Sequence, residues 1–265
     1  MKKSRRKPRH EFEPNKNIHF EFEQALSDGQ SENLELIMGR FSFKDWMKRD
    51  SDGRTPMHLL MVYGKQEDVE NAFHVLQERF LVHEKKAILN AKNKNGDTPL
   101  FAAVKLTNSE EKIMGLVKAT DLVWSELDFN AKNSGGKTLL HFVSLPDYSY
   151  DLFSVVLSRS KNSVNTQDDE GQTSLHIATK YPVSAKAKAL LENGASTNIQ
   201  DKYGKTPLMN ASKAPLIYEK EAERIIQMLI NHSKKKNLEA MRETARARGN
   251  TKNPISLIKM GERGR

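Results

Sequence analysis

The stretch DGRTPMHLL, residues 52–60, decides the fold. Alone it is one helix start: Gly53 for a tight turn, Thr55 as a cap, Pro56 preset for the first helical turn. It is not alone. NGDTPLFAA at 95–103, GGKTLLHFV at 135–143, EGQTSLHIA at 170–178 and YGKTPLMNA at 203–211 repeat it. Their Thr residues, Thr55, Thr98, Thr138, Thr173 and Thr206, stand 43, 40, 35 and 33 residues apart. That period is typical of helical solenoids.

A second signal keeps phase with the first. Five residues before each Thr stands Asp50, Asn93, Asn133, Asp168 or Asp201, placed to bond the turn backbone. Eight residues before the last four stand Asn90, Asn130, Asn165 and Asn198. After each Thr come the apolar residues of a short helix, then a second amphipathic stretch. In AKAKALLENGASTN, residues 185–198, Leu190 and Leu191 close that second helix and Gly194 ends it.

The pattern resembles the ankyrin repeat: D-x-x-G-x-T-P-L-H-x-A, closed by Leu-Leu-x-x-Gly-Ala-x-x-Asn. The resemblance covers roughly residues 20–232. It implies an all-α solenoid of stacked helix-turn-helix units with short β-turn fingers. Four domains are expected: a basic tail at 1–17, an N-terminal capping half-repeat at 18–49, five repeats at 50–232, and basic C-terminal capping helices and tail at 233–265. In the first cap a helix is expected over 18–26, a turn at Gly29, and then a second helix with Leu34, Leu36 and Ile37. NTKNPISLIKMG, 250–261, reads as the start of one more unit. Leu139 and Ser174 replace the Pro, and Phe101 and Met209 the His. Residues 65–89 and 105–129 exceed a standard unit and are expected to lengthen helices or loops, by neutral drift or as a binding element.

The resemblance places His58, His141 and His176 in the framework, bonded to Thr and the neighbouring turn. No H-E-x-x-H, G-x-S-x-G or Walker-type phosphate loop occurs in the sequence. The near-match NSGGKT at 133–138 fits the repeat frame, and no Gly stands five before Gly136. With 0 Cys there is no disulfide framework, thiol nucleophile or Cys-based zinc site. No catalytic, metal or cofactor residue is assigned, and no apolar run approaches the roughly 20 residues of a spanning helix.

Apolar residues make up 37% of the 265 and charged residues 29%. The net charge of +9 divides into +6 for residues 1–10, +7 for 234–265 and −4 for the body between them. The basic run KKSRRKPR at 2–9 reads as a solvated tail, a nuclear-import signal or a contact with nucleic acid or acidic lipid.

What the resemblance implies is binding of a protein through the concave ankyrin groove, by a monomeric, non-enzymatic scaffold. The free positions are the turn tips, Arg54, Lys94, Asp97, Lys137, Gln172, Tyr203 and Lys205, and the first-helix ends, Tyr63, Lys105 and Tyr181, of which all but Lys105 are taken as partner-binding. The Lys-rich tips suggest an acidic patch on the partner. The alternative is a nucleic-acid or chromatin-associated protein acting through its basic ends. The expected compartment is the cytoplasm, with the nucleus or, for an effector of an intracellular bacterium, a host cell as alternatives.

Overall fold

The computed structural model describes residues 18–107, 110–160, 163–213 and 219–247, and no strand occurs among them. The chain divides into two units, 1–128 and 129–265.

The first unit opens with α1 (Ile18–Ser27) and α2 (Ser31–Met38), joined through Gly29 at φ 64°. Phe22, Phe41 and Trp46 seal this end, with ring centroids 5.4 and 5.2 Å apart along the series. Trp46 closes the short α3 (Phe43–Trp46), whose cap Ser42 accepts from the Asp45 amide. Leu34 and Ile37 are buried, whereas Leu36 is 64% exposed, because successive helical residues point about 100° apart.

Three helices follow the first Thr: α4 (Pro56–Tyr63), α5 (Gln66–Arg79) and α6 (Val82–Leu89). Three more follow the second: α7 (Pro99–Leu106), α8 (Glu110–Ala119) and a 3-10 helix, Thr120–Glu126. The surplus in residues 65–89 and 105–129 therefore adds a third short helix to each repeat. α5 stops at Arg79, and the Glu84 carboxylate accepts from the Leu81 amide to restart the chain as α6. The two added helices pack together. Between them Lys85 lies 3.5 Å from Glu126, both side chains buried, and Lys85 also donates to Gln77 at 2.7 Å.

The second unit continues with α9 (Leu139–Val143), α10 (Tyr150–Arg159), α11 (Ser174–Lys180), α12 (Ser184–Glu192), α13 (Pro207–Ala211) and α14 (Glu219–Ala247). First helices stack on first helices and second on second: α11 packs on α13 and α9, and α12 on α10 and α14. Leu140, Leu152, Phe153, Leu190, Ile225 and Leu229 fill the space between them. Gly194 ends α12 at φ 87°, and the Ala195 amide reaches back to the Leu190 carbonyl at 2.9 Å. α14 runs unbroken across the boundary expected at 232/233. Its first half buries Ala222, Ile225 and Leu229, while Lys234, Lys235, Lys236 and Arg242 beyond are exposed. Residues 1–17 and 250–261, read as a basic tail and a further unit, lie outside the described residues.

Candidate functional site

Every finger is built alike. Asp50 Oδ1 accepts from the Asp52 and Arg54 amides at 2.9 and 2.8 Å. Asn93, Asn133, Asp168 and Asp201 each accept the same pair of amides in their own fingers. Neighbouring fingers join through backbone bonds. The Lys94 amide donates to the Asp52 carbonyl, Asp169 to Gly135 and Lys202 to Glu170, all at 3.0–3.1 Å.

The Thr caps and histidines form the second link. The His58 Nδ1 lies 2.9 Å from Thr55 Oγ1 and 3.1 Å from its amide, and Nε2 lies 3.0 Å from the Asp97 carbonyl of the next finger. A carbonyl can only accept, so Nε2 carries the proton and Nδ1 receives the Thr55 amide. His141 repeats this with Thr138 and the Gln172 carbonyl, and His176 with Thr173 and the Lys205 carbonyl. Burial pushes all three imidazoles below the ordinary histidine range. These histidines are framework.

In the first unit the expected partner residues divide. Arg54 is half-buried, its guanidinium held by Asp50 at 2.7 Å and Asp52 at 3.1 Å. Those bonds raise the Arg54 pKa and hold the Asp50 carboxyl below the usual range. Tyr63, at the end of α4, is 58% exposed, and Lys94 is exposed at its tip. Asp97 is not a free tip: it is 2% exposed and paired with Lys105 at 3.0 Å, because its side chain turns back under α7. Arg54, Leu59 and Tyr63 line an open cleft of about 600 Å³ together with Glu23 and Leu26 from α1 and Asp50 from the turn.

In the second unit Lys137 is exposed and Gln172 half-buried. Tyr203 is 65% exposed between the ammonium groups of Lys202 and Lys205, 6.0 and 5.8 Å from its ring centroid, and its hydroxyl donates to Glu170 at 3.2 Å. Lys202 and Glu170 also meet at 2.6 Å. Tyr181 is 42% exposed just past α11. Lys137 lies on one finger and Tyr203 and Lys205 on another, with the finger that carries Gln172 between them in sequence.

Sequence reasoning missed a lysine clip. Lys186 of α12 is buried, and its ammonium donates to the Val143, Leu145 and Tyr148 carbonyls, the first and last at 2.9 and 2.6 Å. Lys112 of α8 likewise donates to the Val62 carbonyl at 2.7 Å. Each cation meets the carbonyl end of a first helix one repeat earlier. The available signal was Lys186 itself, standing among Ala187 and Leu190 on the apolar face. Among the described residues no group of three or more His, Asp or Glu could hold a metal ion, and no helix is long and apolar enough to cross a membrane.

A family model described as ankyrin repeats, in three copies, matches residues 140–240. Residues 140–240 are thus ankyrin repeats. Curated relatives agree. An ANK repeat-containing protein of Caenorhabditis elegans is 27% identical over 132 residues, half of this chain and 20% of that protein. Neurogenic locus notch homolog protein 1 of Xenopus laevis is 27% identical over 161 residues, 61% of this chain and 5% of that protein. A putative ankyrin repeat protein of Acanthamoeba polyphaga mimivirus is 25% identical over 149 residues, 56% and 18%. The ankyrin chain thus spans between 5% and 20% of the length of these relatives.

Solved structures share the fold at lower identity. A chain from the Bdellovibrio bacteriovorus predatory endopeptidase Bd0816 in complex with immunity protein Bd3460 superimposes with TM-score 0.59 at 20% identity, covering 78% of this chain and 97% of that one. The ankyrin repeat domain of Bcl-3 gives 0.58 at 22% identity, covering 78% and 80%. The repeats make the ankyrin chain a protein–protein interaction module.

Proposed function

We propose that this ankyrin protein is a non-enzymatic, monomeric scaffold. It holds a protein partner against the fingers and first-helix ends of its units and works in the cytoplasm. The supporting observation is the set of exposed aromatic rings, Tyr63, Tyr181 and Tyr203, at positions the stack does not need for packing. The polar groups of the fingers are spent on one another, whereas these rings are presented to solvent at the places where hot-spot residue types bind. Lys94, Lys137 and Lys205 stand at the finger tips, Lys205 5.8 Å from the Tyr203 ring. Arg54 and Gln172 contribute through the side-chain surface their internal contacts leave open. Asp97, buried against Lys105, acts only by holding its finger.

Proximity labelling in cells tests this. The full chain is compared with a Y63A/Y181A/Y203A version whose folding is checked by circular dichroism. A specific protein labelled by the first and lost with the second supports the reading. An unchanged labelling profile overturns it.

A second reading, nucleic-acid binding, is favoured by the exposed Lys234, Lys235 and Lys236 on the outer half of α14. It requires affinity for DNA or RNA that falls steeply with salt. Salt-independent or absent binding rejects it.

A further inference from the structure

Two second helices of the first unit turn an acidic face to solvent. On α2 the exposed residues Glu32, Glu35 and Leu36 share one side, spaced i, i+3 and i+4. On α5, which packs against α2, exposed Glu67 and half-buried Glu70 stand one turn apart. Exposed Asp28 lies in the turn that leads into α2. Asp68 is 2% exposed; its Oδ2 accepts from the Lys65 amide at 2.8 Å, and its Oδ1 has no hydrogen-bond partner. One cation stands among these six carboxylates. The Lys65 ammonium donates to the Gly29 carbonyl at 3.0 Å and to the Ser31 hydroxyl at 3.3 Å, and lies 4.0 Å from Glu67. Six acids against one Lys give residues 28–39 and 64–77 a net charge of −5. The surroundings keep that sign. α1 adds Glu21 and Glu23, Glu78 offsets Arg79 at the end of α5, and in α8 Glu110 and Glu111 offset Lys112 and Lys118. Counting Arg40 beyond α2 as well leaves the sum negative.

We propose that this face holds the chain's own basic run, residues 2–9, as an electrostatic strap. The run lies outside the described residues, and its six cations stand without an acid among them. The reach suffices. Residues 10–17 join the run to Ile18 and span up to about 28 Å when extended. α1 covers about 15 Å between Ile18 and the turn at Asp28, and α5 lies about 10 Å from α2. So short a tether holds the run near the face at an effective concentration on the order of millimolar. A free cationic segment of similar charge therefore competes at a disadvantage. Leu36, 64% exposed beside Glu32 and Glu35, offers apolar surface to the Lys and Arg stems. The contact consists of several weak, screened pairs, which makes it reversible. Its consequence is competition. An anionic partner of the basic run must draw it off this face, and a protein docking on α2 and α5 must displace it. This inference is independent of the scaffold reading, which concerns the fingers and first-helix ends.

The chain has 0 Cys, so Ser4→Cys supplies a single thiol for a nitroxide label. On the full-length, isotope-enriched chain, paramagnetic broadening should remove the amide signals of Asp28, Glu32, Glu35, Glu67 and Glu70, while those of α6 stay sharp. The signals should return in about 1 M NaCl, where the screening length shrinks to about 3 Å. They should also return with Glu32→Lys and Glu67→Lys together, and when the six cations of the run are replaced by Gln. That last variant leaves the folded face unaltered. No signal loss, loss centred on another surface, or loss that survives salt or either variant overturns the proposal. So does loss seen when the nitroxide sits on an unenriched chain mixed with an enriched one, which would assign the face to a second copy. The scaffold reading fails separately, when the tyrosine variant leaves the labelled partners unchanged.

Discussion

Gly171 and Gly204 hold the same place in successive fingers, at φ 74° and 71°, yet a methyl group would meet different surroundings. At Gly171 a Cβ would lie 2.8 Å from the Lys202 amide nitrogen and 3.0 Å from Asp201 Cα. At Gly204 it would meet nothing within 4 Å. Gly204→Ala therefore carries only the left-handed backbone strain, roughly 1–2 kcal/mol. Gly171→Ala adds displacement of the next finger and is expected to cost about 3 kcal/mol, read by urea denaturation. The histidines give a pH dependence with a fixed sign. Folding lowers the pKa values of His58, His141 and His176 below the ordinary 6.5 through burial. As pH falls through about 6.5, the unfolded chain takes up protons first. Their contribution is thus complete above that value and lost below it, until the folded imidazoles also protonate. Denaturation midpoints should drop between pH 7.5 and 5.5, at no more than about 1.4 kcal/mol per pH unit for each histidine, and His141→Gln should shallow the drop. Both roles were legible in the sequence: a Gly two residues before every Thr, and a His three after Thr55, Thr138 and Thr173. The differing surroundings of the two glycines were not, because they depend on whether another finger follows.

Second helices were less legible than first ones. Their framework is thin: an apolar stripe without a fixed motif fits one long helix as well as two short ones. Residues 65–89 therefore pointed to extra length, while the break at Phe80 became visible only through the Glu84–Leu81 cap. The Lys186 clip was hidden for a related reason. A lysine on a helix surface is ordinarily solvated, and its partners, the Val143, Leu145 and Tyr148 carbonyls, lie 38 to 43 residues away. Those carbonyls belong to the end of α9 and the loop after it, so one ammonium secures a helix terminus and the path leading to α10. Lys186→Met keeps the apolar stem but strands the carbonyls, and should destabilise the chain by about 3 kcal/mol. Lys188→Met, one turn position over and solvated beside Glu192 at 3.9 Å, should stay within about 0.5 kcal/mol. A comparable effect of the two in chemical denaturation would mean that the clip contributes nothing.

At the scale of the molecule, a stack of units takes its stability from contacts between nearest neighbours, so an end unit has fewer than an inner one. The gradient is visible within the second unit. In α11 the framework His176 is buried because the Lys205 carbonyl of the following finger covers it. At the equivalent place in α13 stands Met209, 48% exposed, with no following finger among the described residues. The partition of charge sharpens the contrast, since the chain beyond Ser233 carries +7 against −4 in the body and repels its own cations. Local opening should therefore begin at α13 and the outer half of α14. In native-state hydrogen exchange, amides of α13 should exchange at least about a hundredfold faster than those of α11, with an opening free energy below the global value. Equal protection in α11 and α13 would show that stability here is shared across the unit rather than passed from neighbour to neighbour.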